Sequence, residues 1–112
     1  MLTIYHNPRC SKSRQTLQLI EQSNTDVTII EYLKTSLTAH EIRHLLLLLK
    51  VDVLDIMRKK EDEFKAQNLQ HADENMLINA IINTPKLLER PIVVSETNAC
   101  IGRPPENVLA LL

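Results

Sequence analysis

Leu2-Thr3-Ile4-Tyr5-His6-Asn7-Pro8-Arg9-Cys10-Ser11-Lys12-Ser13-Arg14 opens with a short apolar run that Asn7-Pro8 breaks, and continues into a cysteine at the mouth of a helix. Leu2 to Tyr5 reads as a strand, and Ser11 to Gln22 as an amphipathic helix carrying Leu17, Leu19 and Ile20. Asn24-Thr25-Asp26 supplies a turn, after which Val27-Thr28-Ile29-Ile30-Glu31-Tyr32 has the branched and aromatic content of a second strand. Two strands joined by a helix form a βαβ unit and run parallel. The cysteine loop then lies at the carboxyl end of the first strand, the edge where open α/β sheets bind ligands.

From about residue 35 to residue 88 strand alternation disappears, and three helix-like segments are expected. Thr38-Ala39-His40-Glu41 is a capping box, with Leu37 and Ile42 at the two positions of a hydrophobic staple. Leu45 to Leu49 is five leucines in a row, more than one helical face buries on a single core, so this helix is sandwiched or partly exposed. A second segment is expected over roughly Val53 to Lys59. A third follows Asp73, with Leu77, Ile78, Ile81 and Ile82 on one face and Pro85 at its end.

Strand chemistry returns with Ile92-Val93-Val94-Ser95, a polar turn, and Ala99-Cys100-Ile101, which the short connection makes an antiparallel hairpin. Gly102-Arg103-Pro104-Pro105-Glu106 opens a terminal helix. The expected architecture is α/β: a βαβ start and a ββα end sharing one mixed four-stranded sheet, with a helical insert at about 35–88 within a single domain spanning 1–112.

A chain of 112 residues buries a core without disulfide support. Its 13 basic and 14 acidic side chains nearly cancel, so no global field attracts nucleic acid or membrane, and an anion must be recognised by a local cluster. No apolar span is long enough for a membrane helix and the start lacks a signal-peptide layout, so the expected location is the cytoplasm. Cys10 and Cys100 make neither a disulfide framework nor a paired zinc pattern.

A free cysteine is commonly a small buried apolar residue. Cys10, however, follows Pro8 and has His6, Arg9, Lys12 and Arg14 nearby, and the helix after it leaves the amides of Ser11 to Ser13 without intrahelical partners. Cations and unpaired amides favour thiolate, so Cys10 is the candidate nucleophile. Ser13 stands where a Cys-x-x-Cys motif has its second thiol, so no local disulfide closes and another thiol must resolve the product. Cys100 is one candidate, against the plainer reading of a strand residue between Ala99 and Ile101.

Arg58, Arg90 and Arg103 are the candidate anion ligands. Arg90 and Arg103 each precede a proline at a junction with the sheet, where a restricted backbone aims a guanidinium inward. Converging on Cys10, the three would hold a thiolate and an oxyanion through charge-assisted hydrogen bonds. Arg90-Pro91 is also a candidate cis peptide. His40-Glu41-Ile42-Arg43-His44 matches the H-E-x-x-H zinc pattern, but Glu41 is already the capping-box partner, and no metal is expected.

Taken in order, Tyr5-His6-Asn7-Pro8-x-Cys10-x-x-Ser13-Arg14, Arg58-Lys59, Glu89-Arg90-Pro91-Ile92-Val93-Val94 and Gly102-Arg103-Pro104-Pro105-Glu106 closely resemble the glutathione- and glutaredoxin-linked arsenate reductase family, and in particular its branch bearing Arg-Cys-Ser-Lys-Ser. The resemblance covers nearly the whole chain. It implies a thioredoxin-like fold, Cys10 as nucleophile, and Arg58, Arg90 and Arg103 as ligands of the oxyanion. It further implies that His6 and Ser13 support the thiolate, and that Pro91 is the cis-proline beside the cysteine. The activity implied is reduction of arsenate, or a similar oxyanion, with no bound cofactor, glutathione as co-substrate and glutaredoxin as partner. Better-known members have Gly-Thr where Ser11-Lys12 stand, and a cysteine where Gly102 stands. Two alternatives share the architecture: a non-catalytic Spx-like module that binds RNA polymerase, and a monothiol reductase acting on glutathionylated substrates.

Overall fold

The computed structural model describes residues 2–112, which divide into two compact units, one of residues 2–35 and 90–112 and the other of Ser36–Glu89. In the first unit, β1 (Leu2–His6) leads through α1 (Ser11–Gln22) to β2 (Val27–Glu31), and β3 (Ile92–Val94) turns into β4 (Ala99–Ile101). The sheet order is β2-β1-β3-β4. β1 runs parallel to β2 and antiparallel to β3, which is antiparallel to β4, giving the mixed sheet that the two ends of the chain predict.

Register explains the core. Ile4 is opposite Val93, and Val93 opposite Cys100, so one row of side chains crosses three strands on the same face. That face gathers Leu2, Ile4, Ile20, Val93 and Val108 into a buried cluster, with Leu17, Leu19 and Leu111 packed against it. Val108 and Leu111 come from the terminal helix, Pro105–Leu111, which is helical as expected but of 3-10 type. α1 ends at Ser23, and Asn24 follows with φ 58°, a left-handed conformation that asparagine tolerates well.

The second unit contains α2 (Ala39–Leu49), α3 (Asp62–Ala66) and α4 (Glu74–Asn83), with 3-10 turns at Val53–Ile56, Leu69–His71 and Pro85–Leu87. Thr38 caps α2 reciprocally: its hydroxyl accepts from the Glu41 amide, and the Glu41 carboxylate accepts from the Thr38 amide. Both staple positions, Leu37 and Ile42, are buried. Of the five leucines only Leu45 and Leu46 are buried, while Leu47 is 75% exposed, so the helix is partly open to solvent.

One expectation for this unit needs correction. The segment expected over Val53 to Lys59 stops at Ile56, because Met57 leaves helical geometry to form an antiparallel bridge with Leu88. The Arg58 amide then donates to the Leu87 carbonyl and the Glu89 amide to the Ile56 carbonyl. Beyond it, Glu61 caps α3, which buries Phe64.

Candidate active site

Cys10 is the N-cap of α1, in extended conformation, and is 8% exposed. The Asn7-Pro8-Arg9 turn delivers it there: the Cys10 amide donates to the Asn7 carbonyl, and the Arg9 amide donates to the Asn7 side-chain oxygen. The Arg14 amide donates to the Cys10 carbonyl as the first helical bond. The sulfur makes no capping hydrogen bond, yet it stands where the helix exposes its unpaired amides.

Burial pushes the Cys10 thiol up, but it is outweighed by the Ser13 amide, the Arg90 charge, the Lys12 amide and the Arg103 charge, and the pKa falls below that of an ordinary thiol. Arg103 reaches the sulfur directly, with Nη2 donating at 3.5 Å. Its Nε donates to the Arg90 carbonyl at 2.7 Å, which ties the two arginine segments together. The Arg90-Pro91 bond is cis, as the resemblance implies, and so is Arg103-Pro104.

Behind the cysteine, the Ser13 hydroxyl and His6 Nδ1 share a buried hydrogen bond, and the Asn7 amide donates to the same hydroxyl at 3.0 Å. Burial lowers the His6 pKa, an effect that Glu31 and Glu21 oppose and Arg14 reinforces, which favours the neutral imidazole. In the tautomer with its proton on Nε2, Nδ1 accepts from the Ser13 hydroxyl while the Ser13 oxygen accepts from the Asn7 amide. His6 and Ser13 thereby fasten the end of β1 to the first turn of α1, on either side of Cys10.

Cys10, Arg90, Arg103, His6, Ser13 and Pro91 all belong to the sheet unit. Arg58 belongs to the helical unit, where its Nη1 is 2.6 Å from Glu61 Oε1. Cys100 has the surroundings of the plainer reading, a strand residue. It packs against the apolar cluster in register with Val93, and burial pushes its thiol up to about 11. Among the described residues no group of three or more histidine, cysteine or acidic side chains is arranged to hold a metal, and Glu41 of the H-E-x-x-H pattern is engaged in its cap. Two features are not apparent from the sequence reading. One is Thr16, wholly buried on the apolar face of α1; the other is the bond from Arg103 to the Arg90 carbonyl.

No helix among the described residues is long and apolar enough to cross a membrane. Known proteins resemble this chain over nearly its whole length. YfgD, an uncharacterised protein of Escherichia coli K12, is 46% identical over 97% of this chain and 94% of its own length. A protein of Haemophilus influenzae named arsenate reductase is 42% identical over 97% of each chain. The solved structure of an arsenate reductase from Vibrio cholerae superposes with a TM-score of 0.95 at 44% identity, covering 99% of this chain and 97% of the other. The model of the ArsC family matches residues 5–111, which takes in Cys10, Arg58, Arg90 and Arg103. This chain belongs to the ArsC family.

Proposed function

We propose that this protein is an arsenate reductase that uses Cys10 as its nucleophile and glutathione as its reductant. The observation that carries the reading is the pairing of one acidified thiol with two guanidinium groups, those of Arg90 and Arg103, which lower its pKa. The same charges suit a tetrahedral oxyanion brought to the sulfur. Relatives named arsenate reductase support the choice of arsenate.

In the proposed first step the Cys10 thiolate attacks pentavalent arsenic. A sulfur–arsenic bond forms, an arsenic–oxygen bond breaks, and the oxygen leaves as water after protonation. Arg90 and Arg103 offset the charge on the remaining oxygens. Arg58 joins them on the strength of the family motif. In the second step a glutathione thiolate enters: a disulfide forms between the two sulfurs, the sulfur–arsenic bond breaks, and its electron pair passes to arsenic. Arsenic is reduced from the +5 to the +3 state, and Cys10 is left as a mixed disulfide. A glutaredoxin then returns it to the thiol by exchange. Chemistry that depends on this reductant fits a reducing compartment, the cytoplasm.

Arsenite formation from arsenate, with glutathione and glutaredoxin supplied, is the test. Cys10→Ser is expected to abolish it; a Cys10→Ser protein as active as wild type sinks the mechanism.

A further inference from the structure

Gly102, the chain's only glycine, immediately precedes Arg103. Its φ is not positive, so the backbone alone does not call for glycine there. Space does. A Cβ at Gly102 would stand 2.5 Å from Thr16 Oγ1, 3.0 Å from Thr16 Cγ2 and 2.8 Å from Pro91 Cγ. Gly102 also donates its amide to the Pro91 carbonyl at 2.9 Å, so it is held against Pro91 on one side and α1 on the other.

Thr16 is an unusual occupant of the buried face of α1. Its Oγ1 donates to the Lys12 carbonyl at 2.8 Å and lies 3.4 Å from the Gly102 carbonyl oxygen. The hydroxyl is thus satisfied within the helix, and both branches of the side chain face Gly102. Because Cys10 caps this same helix, the Thr16 wall is fixed relative to the sulfur. Beyond Gly102, Asn107 Nδ2 donates to the carbonyls of Ile101 and Arg103, both at 3.1 Å, bracing the segment from its far side.

We propose that Thr16 and Gly102 form a spacer that sets how near Arg103 comes to Cys10, which makes both of them positioning residues for the thiolate. The Arg103 contact with sulfur is already 3.5 Å long. Accommodating a methyl group at Gly102 requires the segment to retreat by about 1 Å to recover ordinary van der Waals separation. That retreat removes the contact. The inference rests on Cys10 as the nucleophile of the proposed function, but it is independent of arsenate and of glutathione.

The test measures the Cys10 pKa from the pH dependence of iodoacetamide alkylation, followed on the Cys10 peptide by mass spectrometry. Gly102→Ala is expected to raise that pKa, and by as much as Arg103→Met raises it. In an Arg103→Met background, Gly102→Ala is expected to add nothing; with Thr16→Ala, which clears two of the three close approaches, part of the rise is expected to be reversed. A Gly102→Ala protein with wild-type Cys10 titration overturns the proposal, and so does an equal rise with Arg103 already removed. Should Gly102→Ala fail to fold, Thr16→Ser serves in its place: it keeps the hydroxyl and removes Cγ2 from the wall. A fall in the Cys10 pKa that vanishes with Arg103→Met supports the spacer, and an unchanged titration overturns it. Activity on arsenate is not the readout, so a wrong substrate and a wrong spacer give different results.

Discussion

His6 on β1 and Ser13 on α1 are joined by a buried hydrogen bond that spans the nucleophile's loop. The bond holds while His6 is neutral and Nδ1 accepts. Burial depresses the folded-state pKa of His6, so the unfolded chain binds the extra proton more readily. The resulting stability is fully present above the unfolded value of about 6.5 and is lost as pH falls through the folded value. Urea midpoints are expected to decline as the pH falls below about 6.5, and to decline less steeply in His6→Gln. Equal slopes in the two proteins would remove His6 as the cause.

Ser13→Ala leaves the partly buried Asn7 amide and the buried His6 Nδ1 without their shared partner. Unsatisfied buried groups cost roughly 1–3 kcal/mol, and denaturant unfolding is expected to register a loss in that range. A loss within the few tenths typical of surface changes would mean that water replaces the hydroxyl.

The two cysteines differ in acidity in opposite directions. Cys10 is held below the ordinary thiol value, whereas Cys100 is pushed up to about 11. At neutral pH iodoacetamide is expected to alkylate Cys10 at least about a hundredfold faster than Cys100, because the thiolate is the reacting form. Comparable rates of modification of the two peptides would falsify the assignment of an activated thiol.

Removing the guanidinium that touches the sulfur tests the electrostatics. Arg103→Met is expected to lower kcat/KM for arsenate by about tenfold, the loss of one charge-assisted hydrogen bond discounted for the exposure of Arg103. Steady-state rates across pH are the measurement, and the acid limb is expected to move to higher pH as the thiol pKa rises. An unshifted limb would assign Arg103 to substrate binding alone.

Thr38→Ala removes half of the capping box on α2. A loss of about 1 kcal/mol in unfolding free energy is expected from denaturant titration. No change in arsenate turnover is expected beyond that stability effect, since Thr38 lies in the helical unit.

What could be read from the sequence was local. The capping box at Thr38 and Glu41, the alternation that places Cys100 in a strand, and the Asn7-Pro8 break before Cys10 each depend on neighbours within a few positions. The two-ended sheet was also legible, because β1, β2, β3 and β4 are each short apolar runs set off by turn residues. Met57 could not be read as a bridge residue: its partner Leu88 is distant in sequence, and the pairing is made by backbone atoms that carry no side-chain signature. α3 was hidden because one buried residue, Phe64, makes no periodicity. Arg90 and Arg103 were legible as candidates through the prolines that follow them. Their connection through the Arg90 carbonyl, and the Thr16 wall behind Gly102, are products of the folded chain alone.

The order of the strands also governs when the chemistry can begin. The guanidinium that contacts Cys10 is 93 residues later in the chain, and β3 reaches β1 only after the helical unit has been made. The Ser13 and Lys12 amides that favour the thiolate are made within three residues of Cys10, whereas the Arg90 and Arg103 charges reach it only once the last quarter of the chain has been synthesised. Full acidity of the thiol is therefore a property of the finished chain and of no shorter one.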